Sequence, residues 1–374
     1  MSNNSKTYLV ITPFFPSDCN YVGSYIFDQL NEIRKQTDFN IQIIKTVSFF
    51  SNESDYFYRG FSVRVFKLLD FPFFIFPGIF NRINKIRIRS FLNKRKIENI
   101  TFSHSHVAYP SAYLVEDLQC KKIIQHHGLD VLQLLNGRNR FVRNIQRSFL
   151  IRNTIRHLNN ADINIGVSNL VLKKLKKFDD YSPKAEFVLY NGVDTSKFFK
   201  KEVHKNSCFT VGCIANFWTL KSQIILIKSV QRILDKRDIY LRLIGSGPTL
   251  KNCKKYILQH NLSKYISFDK EMAHEELNLF YNTIDLFVLP SYSEALGCVY
   301  LESWAAGTPF IAIEGQGISE IIPDPDKMLS IKNDVEYLEQ KILYFMDNKI
   351  KLKFVSDFNI KNTIFIFLSL DLFK

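Results

Sequence analysis

Residues Thr283–Glu314 read TIDLFVLPSYSEALGCVYLESWAAGTPFIAIE, a complete strand–loop–helix–strand unit. Residues 284–290 form a short apolar run of the length expected for a strand buried on both faces. Residues 291–297 mix Ser, Glu and Gly, which is loop chemistry. Residues 298–306 suit a packed helix, and Gly307 followed by Thr308-Pro309 stops it. Residues 310–313 start the next strand.

Two carboxylates lie in this unit, Glu294 in the loop and Glu302 on the helix, with seven residues between them. With the helix beginning near Gly297, Glu294 sits at the carboxyl end of a strand, where open α/β sheets bind ligands. Glu302 then lies about one turn into the helix, within reach of the same crevice. An ionised carboxylate only accepts hydrogen bonds, so two fixed acceptors suit a ligand rich in hydroxyls. Two solvated glutamates near a helix start, where negative charge is favourable, satisfy the same spacing.

The segment SEALGCVYLESWAAGTPFIA resembles the donor-sugar motif of the retaining GT-B glycosyltransferases, specifically glycosyltransferase family four (glycosyl transferases group 1). That motif has a glutamate, seven residues, a second glutamate, then a small-residue run ending in Gly-x-Pro before a strand. Ala295-Leu296-Gly297 stands where the family often has Gly-Phe-Gly. The resemblance implies an α/β chain of the GT-B class: two facing Rossmann-like doubly wound domains with an interdomain cleft. It implies transfer of a hexose-type sugar from a nucleotide-sugar donor to a hydroxyl of a glycan or lipid-linked glycan, with retention of configuration. Neither metal nor other cofactor is expected; a UDP-sugar is favoured over a GDP-sugar, and bacterial surface polysaccharide assembly is the expected setting.

Composition agrees with a two-domain globular protein. At 374 residues the chain exceeds the size at which one core stops growing, and 46% apolar with 23% charged residues is ordinary. The six cysteines form no Cys-x-x-Cys pair, so they read as reduced thiols of a cytoplasmic protein. No signal peptide is visible, and the longest apolar runs fall short of the ~20 residues a spanning helix needs. Net charge is +14 and lopsided: residues 1–190 hold 27 Lys and Arg against 15 Asp and Glu. A basic half points to a partner bearing negative charge.

Along the chain, residues 8–12 read as a strand, 13–23 as a loop and 25–36 as a helix, the start of a nucleotide-type βα unit. One glycine, Gly23, is weak as a phosphate cradle, and an ordinary βα turn is the simpler reading; the resemblance places this loop against the donor phosphates and the acceptor. Residues 41–47 are a second strand. Phe71–Ile97 is an aromatic, Pro-broken segment followed by Arg82, Lys85, Arg87, Arg89, Lys94, Arg95 and Lys96. It fits peripheral contact with an anionic membrane on the inner face of the plasma membrane, or a solvated basic helix with an aromatic core stripe. Residues 100–103 read as a strand followed by His104-Ser105-His106, and 123–125 as a strand ending in His126-His127-Gly128. Adjacent histidines point apart, so a metal site is disfavoured; by resemblance, His127 contacts the donor sugar.

The first, acceptor-side domain is placed at 1–195, ending in Asn191-Gly192-Val193-Asp194. The second, nucleotide-sugar-binding domain is placed at 196–345, and 346–374 as a segment crossing back to the first. The second domain alternates strand and helix throughout, which argues a doubly wound parallel sheet. Gly245-Ser246-Gly247-Pro248 lacks the third glycine of a dinucleotide fingerprint, which disfavours hydride transfer. Lys221, in a loop after a strand, suits a phosphate, although a surface lysine is the simpler reading. The resemblance assigns Glu294 to the donor hexose, Glu302 to the ribose hydroxyls and Lys221 to the leaving diphosphate. It places Gly245, Gly247, Pro248, Leu296 and Gly297 around the donor. The family's second cation, in a Gly-Arg step, is missing: here the step is Gly212-Cys213. A binding protein for nucleotides or nucleic acid, or an inactive homologue, is the competing class. No nucleic-acid module is visible, so nucleic acid is not expected as a partner.

Overall fold

The computed structural model describes residues 6–70, 77–129, 132, 140–205, 207–348, 350 and 352–374, with side chains omitted for 140–148. The chain divides into two compact units, Met1–Tyr190 with Ile364–Lys374, and Asn191–Thr363.

The first unit is built on β1 (Thr7–Thr12), β2 (Asn40–Ser48), β3 (Tyr56–Tyr58), β4 (Phe61–Leu68), β5 (Ile100–His106), β6 (Lys121–His126), β7 (Ile163–Gly166) and β8 (Glu186–Val188). Among the described residues they form one sheet in the order β3-β4-β2-β1-β5-β6-β7-β8, parallel except for the β3–β4 hairpin. All six residues of β1 are buried, as a central parallel strand covered on both faces requires. The β3–β4 turn is Arg59-Gly60, with φ of 45° and 89°. Two positive φ values match the two-residue turn that follows the twist of a hairpin. Helix Asn81–Lys94 buries Asn84, Ile88 and Leu92, one stripe at fourfold spacing, among Phe66, Leu68, Tyr109 and Tyr113.

The second unit contains β9 (Phe209–Ile214), β10 (Ile239–Ile244), β11 (Ile266–Asp269), β12 (Leu286–Val288), β13 (Phe310–Ile313) and β14 (Leu329–Ser330). The pairings are parallel and the order is β11-β10-β9-β12-β13-β14. Renumbered within the unit this is 3-2-1-4-5-6, the Rossmann order. The expected strand at 310–313 and the helix expected at 298–306, observed as Cys298–Ala305, stand where the sequence placed them.

Three expectations shift. The strand expected at 100–103 continues to His106, so His104 and His106 are strand residues. The units part at Tyr190/Asn191, and the segment before Ile364 packs with the second unit. Its reason is aromatic: Trp304 Nε1 donates to Lys353 O at 3.0 Å, and its ring meets Phe354 and Phe358 at 5.5 and 6.0 Å. The final residues, Ile364–Lys374, cluster with the first unit, where Phe373 packs on Phe102 (4.9 Å) and Phe367 on His104 (5.8 Å). Of the segment Phe71–Ile97, residues 71–76 lie outside the described residues. Among the described residues no helix is long and apolar enough to cross a membrane.

Candidate active site

In the second sheet the winding reverses between β9 and β12, which pair directly. Such a reversal, at the carboxyl ends of the strands, is where open α/β sheets bind ligands. The β9 loop ends in a 3₁₀ turn, Thr219–Lys221. The β12 loop carries Glu294. Lys221 Nζ and Glu294 Oε1 form an ion pair, with side chains 21% and 11% exposed. The loops are tied together by backbone: Tyr292 N–H donates to Leu220 O at 3.1 Å, and Ser291 Oγ donates to the same carbonyl at 3.2 Å. The loop after β13 joins them, with Glu294 N–H donating to Gln316 Oε1 at 2.8 Å. Lys221 and Glu294 are therefore held from three strands. Partial burial strengthens such a pair relative to one on an open surface.

The loop after β10 closes the same edge. Phe217 N–H donates to Ser246 O (2.7 Å), and Thr249 N–H to Phe217 O (3.0 Å). Gly245 and Gly247 have φ of 135° and 146°, and a Cβ on them would lie 2.2 Å from Ala215 O and 2.6 Å from Phe217 O. Close packing of two protein loops thus demands both glycines by itself. Pro248, exposed, precedes helix Leu250–Gln259. Leu296 is buried, and Gly297, at φ 87°, turns the chain into helix Cys298–Ala305 against the Tyr300 ring.

Glu302 is buried in that helix. Its Oε2 accepts from Tyr281 Oη at 2.9 Å, and its Oε1 lies 3.1 Å from His274 Nε2. Each oxygen keeps a further lone pair for a ligand hydroxyl. Cys213 lies in β9, 1% exposed, and burial pushes its thiol up to about 12. The step that would carry the family's arginine is thus an apolar interior position. Among the described residues no group of three or more His, Cys, Asp or Glu side chains is arranged to hold a metal ion. In the Asp-x-Asp triplet Asp324-Pro325-Asp326, Asp324 caps the short helix Pro325–Met328 and pairs with Lys327 at 2.6 Å.

In the first unit, Gly23 has φ 91° and starts helix Ser24–Gln36; a Cβ there would meet Phe14 backbone at 2.8 Å. Two residues on, Tyr25 packs against His127 with ring centroids 4.7 Å apart. His127 Nε2 lies 3.1 Å from His106 Nδ1. Burial lowers His127 to about 3, so its ring is neutral near pH 7. The structure thus joins Lys221 with Glu294, sets Gly297 beside Glu294, packs the glycine turn on Ala215 and Phe217 of the loop that leads to Lys221, and joins Gly23 to His127 through Tyr25. Tyr281, His274 and Gln316 carry no sequence signal of these contacts. His106 does: alternation along a strand puts it on one face with His104.

The sequence profile of Glycosyl transferases group 1 matches residues 194–361. An uncharacterized glycosyltransferase of Methanocaldococcus jannaschii is 27% identical over 334 residues, 88% of this chain and 86% of that protein. The GDP-mannose-dependent monoacylated alpha-(1-6)-phosphatidylinositol monomannoside mannosyltransferase of Corynebacterium glutamicum is 24% identical over 70% of each chain. Among solved structures, sucrose-phosphate synthase from Thermosynechococcus elongatus superposes with a TM-score of 0.76 at 16% identity, covering 97% of both chains. Anabaena HepE in complex with UDP and glucose gives 0.69 at 16%, covering 98% of this chain and all of the other. Residues 194–361 of the chain therefore carry a glycosyl transferases group 1 domain, and the two Rossmann-like sheets together have the GT-B fold.

Proposed function

We propose that this glycosyltransferase is a retaining, metal-independent hexosyltransferase that takes a nucleotide-sugar donor. The observation that carries the reading is the Lys221–Glu294 pair at the switch point of the second sheet. Lys221 stabilises the charge that builds on the leaving diphosphate, a preorganised electrostatic contribution of the kind that is often the largest in catalysis. Glu294 accepts from hydroxyls of the transferred hexose, and Glu302, aimed by Tyr281 and His274, accepts from the ribose. The turn of Gly245, Gly247 and Pro248 and the backbone of Leu296 and Gly297 border the donor. Gly23 lies by the acceptor and the donor phosphates, and His127 touches the sugar. Acceptor attack takes place on the face from which the diphosphate leaves, and the diphosphate takes the acceptor proton.

UDP-sugars are the favoured donors. HepE is solved with UDP, while the Corynebacterium relative is named for GDP-mannose, so guanine is the competing base. The acceptor is a glycan or lipid-linked glycan of surface polysaccharide assembly. The first unit offers such a polyhydroxylated molecule a cleft of about 370 Å³ at the carboxyl ends of β1 and β2. Its lining includes Phe14, Asn20, Lys45, Thr46, Ser48 and Glu53, and the buried Thr46 hydroxyl has no partner there.

The test is a panel of UDP-, GDP- and ADP-sugars, scored by thermal stabilisation and donor hydrolysis, with and without EDTA. One donor raises the melting temperature, because a ligand that binds only the folded state stabilises it. Hydrolysis persists in EDTA, and the product sugar keeps the donor's anomeric configuration. Lys221→Ala loses about 10²–10³-fold in turnover, the range for a removed transition-state donor. Glu302→Ala loses the stabilisation by donor, with its ligand-free melting temperature as the reference. No response to any nucleotide sugar would retire the proposal.

A further inference from the structure

Beside His127, the first unit holds a column of histidines to which the reading above gives no task. His104 and His106 are alternate residues of β5 and project to one face. Their rings stack at 4.2 Å and 25°, and His106 stacks on His127 at 5.4 Å and 13°. Both strand histidines are fully buried. Tyr8 Oη lies 2.7 Å from His104 Nδ1, anchoring the far end. At the near end His106 Nδ1 is 3.1 Å from His127 Nε2, while His106 Nε2 is buried with no partner.

This geometry decides where the protons sit. Burial holds His106 well below its ordinary range and His127 at about 3, so each ring is neutral and carries one proton. A proton on His106 Nε2 would be a buried N–H without an acceptor. A proton on Nδ1 donates to His127 and leaves only a lone pair unmet. Orphaned buried N–H groups are the rarer and costlier defect. His106 Nδ1–H therefore donates, His127 Nε2 accepts, and the His127 proton sits on Nδ1.

We propose that His106 is a positioning residue that pins His127 in the Nδ1–H tautomer, so that His127 offers the sugar a hydrogen-bond donor and not an acceptor. The proposal rests on His127 as a sugar contact. A hydroxyl, ring or glycosidic oxygen of the sugar can accept from Nδ1–H; a pinned lone pair would admit hydroxyls alone. Tyr25, on the His127 ring, and His104, behind His106, fix the ring planes in which this donor is aimed.

Histidine ¹⁵N labelling of the full chain, with His127 assigned by its loss in His127→Ala, reads the tautomer directly. The expected spectrum has the proton on Nδ1; a proton on Nε2, or an even mixture, overturns the proposal. His106→Phe keeps a stacking ring but removes the donor. It shifts His127 toward a mixture and lowers donor turnover about tenfold, the scale of one hydrogen bond, with little change in donor KM. His106→Asn, whose amide N–H lies near the place of Nδ1–H, restores the tautomer and most of the turnover. Equal losses in the Asn and Phe variants, both folded, overturn the proposal. If His106→Phe shifts the tautomer while neither it nor His127→Ala changes turnover, the pinning stands and the sugar-contact reading of His127 fails.

Discussion

Cys213 occupies the step where the family resemblance leads one to expect an arginine, and its surroundings disfavour one. It is 1% exposed inside β9, and Lys221, which acts on its thiol electrostatically, already supplies a cation nearby. An arginine there would be buried beside a like charge, with Glu294 already engaged by Lys221. Cys213→Arg is therefore expected to destabilise the second unit by more than about 3 kcal/mol, the scale of an uncompensated buried charge. Urea unfolding followed by tryptophan emission checks it; unchanged stability with higher turnover would show that the position accepts a second phosphate contact. At this scale the sequence was legible one residue at a time. Glu294 and Lys221 each stood out by place in a loop, but their pairing spans 73 residues and follows no spacing rule. Gly245 and Gly247 were read through a ligand, whereas packing against Ala215 and Phe217 already requires them.

At the scale of elements, periodicity carried the reading wherever a strand or helix buries a regular face. It carried least where an element's role depends on partners distant in sequence. The hairpin of β3 and β4 went unread, although residues 61–65 alternate and Arg59-Gly60 punctuates them. Helix Asn81–Lys94 shows the converse. Its basic residues suggested a lipid surface, yet Lys85 pairs with Glu116 and Asp117, Arg89 with Asp117, and Arg95 with Asp55. Arg87 packs over Phe49 and Phe66. Exposed charge is left at Arg82, Lys94 and Lys96, and Ile79, Ile83 and Ile86 of the same segment are exposed. Peripheral binding through this helix should therefore depend on the isoleucines as much as on charge. In vesicle co-sedimentation, Ile83→Glu with Ile86→Glu is expected to lower binding to anionic vesicles at least threefold, since each buried side chain contributes on the order of 1 kcal/mol. Binding that responds to salt but ignores the double substitution would place the contact elsewhere.

At the scale of the whole molecule the two units carry different titrating groups, and acid should separate them. His104, His106, His127 and His157 are buried or half-buried in the first unit, and burial lowers all four, His104 and His127 to about 3 and His157 to about 4. A histidine whose folded pKa is depressed binds fewer protons folded than unfolded. Its neutral form costs nothing above the unfolded value of about 6.5, and stability drains as pH falls below that. Between pH 7.5 and 5.5 each such group removes about 1.4 kcal/mol, so the four together remove about 5 kcal/mol. Asp70, raised to about 6 chiefly by burial, works the other way, since protonation favours its folded form, but it is one partly open group against four. The carboxylates held low by ion pairs, Glu116 and Glu339, give up their stabilisation only further into acid. Both tryptophans, Trp218 and Trp304, belong to the second unit. Urea unfolding at pH 5.5 is therefore expected to show far-ultraviolet circular dichroism falling before tryptophan emission shifts, with the two transitions closer at pH 7.5. Non-coincident probes are the mark of a transition that is not two-state. Coincident transitions at both pH values would mean that the histidine column is relieved on acidification without unfolding the sheet that holds it.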